Sequence, residues 1–346
     1  MDLKPLLAQI ELELQKQVSR LDAPRTKPFH EMLTYHMGWT GEGAGPEATG
    51  KRIRPLIVLL CAAASSSPDV NIGAPLSATK AWQTALPAAA AVELVHNFSL
   101  VHDDIQDNSD KRRGRTTVWV KWGMPMGINV GDALFVMSNQ AIIDLKGSYP
   151  AEVVVKAAEI LHNTCLELTR GQFLDMSYEK TNELVVEDYW PMIAGKTAAL
   201  LSACCHIGSL LGGADEAQQD GYRSFGHYLG LAFQVQDDIL GIWGDEAVTG
   251  KSAASDLIEG KKSLPVLAGL SAKGKFAERW KQGPIHAEEV EELARLLASE
   301  GGYETAVDAA KQMTDLALMS LRGADPQGEA GEALFELADK LLKRNQ

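Results

Sequence analysis

The chain has 346 residues, 45% of them hydrophobic and 23% charged, which is ample for a large core in one domain or two. Its formal net charge of −13, from 46 acidic and 33 basic side chains, excludes nucleic acid as the main partner, because a phosphate backbone demands a basic stripe; a small anionic ligand in a local basic pocket is still compatible. The four cysteines, Cys61, Cys165, Cys204 and Cys205, have no CxxC spacing, so they read as reduced core residues of a cytoplasmic protein rather than as a zinc site.

The opening MDLKPLLAQIELELQ is amphipathic with early acids and lacks the basic head and apolar core of a signal peptide. Apolar residues at three- and four-residue spacing predict helices over 3–21, 53–64, 86–105, 131–145, 151–176, 184–211, 220–243, 287–299 and 303–321. Only 116–120 alternates as a strand would. The most apolar runs, 85–101 and 198–213, carry Glu93, His96 and Asn97 in the first and His206 in the second, and read as buried helices with no integral membrane segment. Irregular, polar or glycine-rich stretches at 38–50, 108–116 and 244–262 are the places where loops would carry function. No repeat or linker divides the chain, so a single-domain, all-α helical bundle over 1–346 is expected.

The segment His102-Asp103-Asp104-Ile105-Gln106-Asp107 closes a long apolar helix. Asp103 and Asp107 share a helix face, with Cβ atoms roughly 5–6 Å apart. Like charges at this spacing, near a helix C-terminus, are doubly unfavourable and invite a divalent cation. Hard oxygen ligands suit Mg²⁺, which completes its shell with water and substrate phosphates. Phe233-Gln234-Val235-Gln236-Asp237-Asp238 ends a second apolar run in the same way. If the two helices face each other across a cavity, their carboxylates would hold several ions on one diphosphate. Basic groups accompany both: Lys51, Arg52 and Arg54 after the glycine-rich loop, Lys111 to Arg115 after the first acid cluster, and Lys251, Lys261 and Lys262 after the second. Arg supplies a planar fork for phosphate oxygens and Lys a point charge. Arg52, Arg115 and Lys262 read most simply as salt-bridging or solvated side chains. His96 precedes Asp103 by two helical turns on the same face.

With GKRIRP, VHNFSLVHDD and DKRRG in this order, the stretch from about 48 to 268 resembles the trans-isoprenyl diphosphate synthases, or polyprenyl synthetases, and is nearest in pattern to the short-chain farnesyl and geranylgeranyl members. The resemblance implies the isoprenoid synthase fold, helices around a deep central cavity, usually as a homodimer. It implies about three Mg²⁺ ions, with Asp103, Asp107 and Asp237 as metal ligands and Asp104 and Asp238 shaping the shell. Isopentenyl diphosphate would be held by Lys51, Arg54, His96 and Arg113. The allylic diphosphate would be held by Arg112, Lys196 and Lys261, with Lys251 nearby. Gln172, Thr197 and Gln234 match polar groups beside the reacting carbons. Gly241 stands where the second motif usually has its last aspartate, with Asp245 four residues on. Thr49 replaces the first glycine of the family's GGKR, and Arg115-Thr116-Thr117-Val118-Trp119 replaces a stretch that often holds proline and histidine.

The implied chemistry is ionisation of the allylic diphosphate, condensation with isopentenyl diphosphate, and elimination of a proton. Phe98 and Ser99, five and four residues before Asp103, would form the floor that sets product length, and one aromatic beside one small residue matches the geranylgeranyl pattern, with farnesyl next. A class I terpene cyclase would share the fold and the metal but needs no isopentenyl site. A catalytically silent synthase subunit is the other alternative, and Gly241 is its one hint. The basic end at Lys343 and Arg344 reads as a frayed tail.

Overall fold

A computed structural model describes residues 3–66, 80–181, 183–244 and 255–342. Asp245, Lys251, Lys343 and Arg344 therefore lie outside the described residues. Where the sequence shows helical periodicity the chain is helical. Helices of eight or more residues are α1 (Lys4–Val18), α2 (Lys27–His36), α3 (Ile53–Ala64), α4 (Leu86–Gln106), α5 (Met124–Ile143), α6 (Ala151–Glu179), α7 (Val186–Ile193), α8 (Ala199–Gly212), α9 (Glu216–Trp243), α10 (Leu264–Ala272), α11 (Val290–Ser299), α12 (Gly302–Gly323) and α13 (Gly328–Leu342). A π-turn, Ala194–Ala198, joins α7 to α8. By length and composition Val186–Gly212 is apolar enough to cross a bilayer, yet 61% of its most apolar window is buried against protein, the environment of a core helix.

The strand expected over 116–120 is a correction. Strands β1 (Lys111–Arg112) and β2 (Arg115–Thr116) form a small antiparallel hairpin, and Val118–Trp122 is helical. The hairpin turns on Arg113 and Gly114, both at positive φ, the backbone that a two-residue hairpin loop requires. Thr117 then ends the strand: its hydroxyl donates to the Ser109 carbonyl and its N–H to that of Asp110. Buried Val118 starts the helical turn, so the apparent alternation was a strand end running into a helix start.

Contacts divide the chain into two compact units. The first comprises Met1–His162, Cys204–Gln219 and Pro326–Leu334. In it α4 packs on α5, α3 and α1. Residues 55–64 of α3 and 88–95 of α4 are buried all round, as apolar helices with no polar face must be. Buried Arg52 joins three elements: Nε donates to Glu11 Oε1 of α1 (2.6 Å), Nη1 to Glu93 Oε1 of α4 (2.8 Å), and Nη2 to the Met37 carbonyl. A buried guanidinium survives only when paired and hydrogen-bonded in this way. All four cysteines are free and buried.

The second unit comprises Asn163–Ala203, Asp220–Asp325 and Phe335–Gln346. Its main core joins Tyr189, Met192 and Ile193 of α7 to Leu231, Val235 and Ile239 of α9, Leu264 and Leu267 of α10, and Ala306, Ala310 and Met313 of α12. A second cluster gathers Ile242, Leu257, Val266, Phe276 and the apolar face of α11. These cores lock the C-terminal half of α9, which carries the second aspartate motif.

Candidate active site

In the first unit the aspartate motif sits on the last turn of α4. The Asp107 N–H still donates to the Asp103 carbonyl (2.8 Å), so the i, i+4 pairing of the two carboxylates is retained to the helix end. Asp103 is half-buried and Asp107 exposed. Asp104 points the other way. It is buried, and Arg112 Nε from β1 donates to its Oδ1 at 2.6 Å. Burial pushes its carboxyl up to about 6, and Arg112 opposes that shift. Asp104 is thus anchored to an arginine, which leaves Asp103 and Asp107 as the oxygen donors that fit Mg²⁺.

Next to it lies a dense cationic group. Arg54 Nη1 donates to His96 Nε2 at 3.2 Å, tying the start of α3 to α4. Burial, then Arg54, Arg113 and Arg112, hold His96 well below its usual range, so the ring is neutral and Nε2 accepts. Arg113 Nη1 donates to the Ala48 carbonyl at 2.9 Å. Gly50 makes room for this guanidinium: it has φ +77, and a Cβ there would lie 2.7 Å from Arg113 Cζ. Lys51 is exposed beside it. Arg112, Arg113, Asp104 and His36 line one small polar cavity with Tyr35, Ala48 and the hairpin end. His36, which the sequence did not flag, is held at about 3 by burial and then by Arg113, Arg112 and Arg52. Guanidinium groups gathered this closely can attract and fork onto an anionic group. Of the bases given a plain structural reading, Arg115 donates to the Tyr35, Thr40 and Glu42 carbonyls and stacks on the Tyr35 ring, so it braces the glycine-rich loop. Thr49, in the family's glycine position, closes the helical turn Pro46–Thr49 with its hydroxyl on the Pro46 carbonyl.

Phe98 lies on α4 with its ring 5.1 Å from Phe135 of α5 and 5.8 Å from His102, both edge-on. Ser99 Oγ donates to the His96 carbonyl. The small Gly131 admits His102, whose Nε2 lies 2.2 Å from where a Cβ would stand.

In the second unit a polar chain supports the second motif. Thr197 Oγ1 donates to Gln234 Oε1 (2.8 Å), and Gln234 Nε2 donates to Asp238 Oδ1 (2.9 Å). The Tyr189 hydroxyl (2.6 Å) and the Leu264 N–H (3.2 Å) both donate to Asp238 Oδ2. Buried Asp238 is raised to about 7 by burial, and these donors pull it back. Asp237, one residue before, is half-buried and has the hard donor set Mg²⁺ requires. Lys196 and Thr197 lie on the π-turn, a distortion frequent at functional sites. Lys196 Nζ pairs with Asp175 of α6, which lies one helical turn beyond half-buried Gln172. Gly171 and Gly195 allow this approach: a Cβ on Gly171 would stand 2.1 Å from the Lys196 nitrogen. Lys261 is held by Asp256 (3.4 Å) and Glu259 (2.7 Å), and Lys262 donates to the Tyr178, Glu179 and Thr181 carbonyls, a structural clasp rather than a solvated charge.

Residues 45–297 match the polyprenyl synthetase family model. The chain belongs to the polyprenyl synthetase family. It is 38% identical to a geranylgeranyl diphosphate synthase of Mycobacterium tuberculosis, with 99% of this chain and 94% of that protein covered. A (2E,6E)-farnesyl diphosphate synthase of Mycobacterium bovis is 36% identical, covering 85% of this chain and 73% of the relative. The crystal structure of a polyprenyl synthetase from Streptomyces coelicolor A3(2) superposes with a TM-score of 0.83 at 36% identity over 96% of each chain. The all-α isoprenoid synthase fold and membership of the trans-isoprenyl diphosphate synthases are thereby established. Four residues of the two sites had escaped the sequence reading. Asp175 follows Gln172 by three positions on one helix face, a weak signal; His36, Tyr189 and Asp256 had no signal in their own neighbourhoods.

Proposed function

We propose that this Mg²⁺-dependent short-chain trans-prenyltransferase condenses isopentenyl diphosphate with an allylic diphosphate and makes chiefly the twenty-carbon product, with the fifteen-carbon product next. The observation that carries the reading is the cationic group on α3, α4 and the hairpin. Arg54, His96 and Arg113, with exposed Lys51, form a metal-free anion subsite next to Asp103 and Asp107. A terpene cyclase has no use for a second diphosphate.

Asp103, Asp107 and Asp237 would hold magnesium, about three ions by family expectation. When bound, magnesium would supply the positive charge that offsets a leaving diphosphate and so lowers the barrier to its departure. Arg112, Lys196, Lys251 and Lys261 add charge to the same leaving group. Neutral His96 and the guanidinium of Arg54 orient isopentenyl diphosphate, so that attack by its double bond becomes a proximity effect. The Thr197–Gln234 pair places an amide oxygen and a hydroxyl as dipoles where positive charge develops, and Gln172 completes that polar edge. The proton lost after condensation passes to the released diphosphate, so no side-chain nucleophile is needed. Asp104 and Asp238 act as buried anchors that orient their motifs.

Phe98, backed by Phe135, closes the path of the growing chain. Homodimer formation is supported by the exposed apolar side chains Met124, Ile128, Val136 and Ile143 of α5, an apolar surface of the kind that marks a protein interface. A cytoplasmic location is supported by the four free, buried cysteines. The lack of any linker-like stretch in the sequence supports reading the chain as one domain.

The test is incubation of purified protein with Mg²⁺, isopentenyl diphosphate and allylic primers of several lengths. A twenty-carbon diphosphate is the expected product. A cyclic hydrocarbon formed without isopentenyl diphosphate would establish the cyclase instead, and no turnover with any primer would establish the silent subunit. Phe98→Ala is expected to lengthen the products; an unchanged distribution would refute the floor.

A further inference from the structure

The C-terminal end of α2 touches both arms of the cationic group. Tyr35 is buried there, and its hydroxyl donates to the Thr116 carbonyl of β2 at 2.9 Å. Two cations lie over its ring, Arg115 Cζ at 4.0 Å and Lys121 Nζ at 4.5 Å from the centroid, and the Trp122 ring meets it edge-on at 5.0 Å. A guanidinium on an aromatic face is attracted to the ring while its N–H fork stays free to donate in plane. Arg115 uses that fork on three carbonyls, those of Tyr35 (2.6 Å), Thr40 (2.7 Å) and Glu42 (2.9 Å). The glycine-rich loop presses on the same ring, since a Cβ on Gly41 would stand 2.7 Å from Tyr35 Cδ2. The loop then turns back on itself. The Gly45 N–H donates to the Gly38 carbonyl (3.1 Å), and a Cβ on Gly38 would stand 2.5 Å from the carbonyl carbon of Ala48. That Ala48 carbonyl is the acceptor for Arg113 Nη1 at 2.9 Å. Tyr35 and Arg115 therefore tie the hairpin to the loop whose far end carries Ala48 and leads into Lys51. Arg115 also faces Arg112 across the hairpin, but Arg112 has an anchor of its own in Asp104. All these residues belong to the first unit.

We propose that Tyr35 and Arg115 are positioning residues for isopentenyl diphosphate: together they set the separation between Arg113 on the hairpin and Lys51 at the loop end, and with it the affinity for the second diphosphate. The proposal rests on the prenyltransferase reading above. Neither residue touches the substrate. Long cationic side chains hold a diphosphate well only when their spacing is fixed before it arrives, because ordering them at the moment of binding costs conformational entropy. A glycine-rich loop cannot fix that spacing alone, since glycine has the widest backbone freedom. The aromatic ring and the three-carbonyl fork supply the rigidity from outside the loop. The effect is selective for one substrate. Arg112 stays anchored on Asp104, and Asp103 and Asp107 are carried by α4, so the allylic side does not depend on the clamp.

Steady-state kinetics of the full-length protein with Mg²⁺, varying isopentenyl diphosphate and a geranyl primer in turn, test the proposal, and thermal melts report folding independently. Arg115→Met is expected to raise KM for isopentenyl diphosphate about tenfold while kcat and the KM for the primer stay within about twofold, the pattern of lost binding rather than lost chemistry. Arg115→Lys keeps a cation over the ring without the fork and should recover part of that loss. Tyr35→Phe removes only the hydroxyl and should raise the same KM about threefold. An unchanged KM for isopentenyl diphosphate in Arg115→Met overturns the proposal. An equal rise in both KM values, or a fall in kcat alone, overturns it too, since a purely structural role would act on both substrates or on the fraction of active enzyme. If Arg115→Met does not fold, Tyr35→Phe decides alone by the same criteria. Wild-type protein that turns over no primer with isopentenyl diphosphate would overturn the prenyltransferase reading and the proposal together.

Discussion

The two aspartate motifs look alike in sequence and are built differently in space. Each sets adjacent aspartates on an apolar helix, in the last turn of α4 and more than a turn before the end of α9, and in each one member is sealed in protein: Asp104 on α4 and Asp238 on α9. Burial pushes both carboxyls up, to about 6 and about 7. Asp104 is secured by one cation, Arg112, whereas Asp238 is secured by three neutral donors, Tyr189, Gln234 and the Leu264 N–H. An arginine offsets the loss of hydration with charge and neutral donors do so with dipoles, so the first motif carries its own counter-charge and the second leans on aromatic and amide groups from α7, α9 and α10. The same doublet thus anchors to a basic hairpin in one unit and to a packed core in the other.

If both motifs carry magnesium, Asp103→Ala and Asp237→Ala should each lower kcat/KM by about 10³-fold with isopentenyl diphosphate and a geranyl primer. A loss confined to one of them would break the functional equivalence of the motifs. The anchors differ in stability. Arg112→Met leaves a buried carboxylate without its cation and should cost about 3 kcal/mol in urea unfolding of metal-free protein, whereas Tyr189→Phe should cost about 1 kcal/mol. The reverse order would show that the neutral anchor is the stronger one. The helix approaches beside the motifs separate as well. Gly171→Ala drives a methyl into the Lys196 backbone and should cost about 2 kcal/mol, while Gly131→Ala meets only the His102 ring, which can move, and should cost less than about 1 kcal/mol. Equal melting temperatures would remove that contrast.

A further expected effect concerns pH and the cationic surroundings of the first motif. His36 is lowered from 6.5 to about 3, so between those values the unfolded chain binds a proton that the folded chain does not. Its contribution is therefore complete above about pH 6.5 and is lost progressively as pH falls, by at most about 1.4 kcal/mol per pH unit. His36→Gln should flatten the acid side of the stability profile measured by urea unfolding, and an unchanged slope would show that the His36 ring is protonated in the folded state.

The sequence by itself determined the helical fold, the shared helix face of Asp103 and Asp107, and the adjacent aspartates of the second motif on their apolar helix. These follow from periodicity and from motifs whose members lie within one or two turns, where helix geometry alone sets the spacing. It misread 116–120, because two residues of strand followed by a helical turn alternate in the same way as a longer strand. Only the tertiary structure decided which aspartate of each doublet is sealed, since burial depends on groups brought from elsewhere: Arg112 on a hairpin, and Tyr189 and Leu264 from two other helices. The same holds for Asp175 beside Lys196 and for Asp256 filling the space before Gly241. A side chain's charge state and reach are set by the packing of segments distant along the chain, and no local pattern encodes that packing.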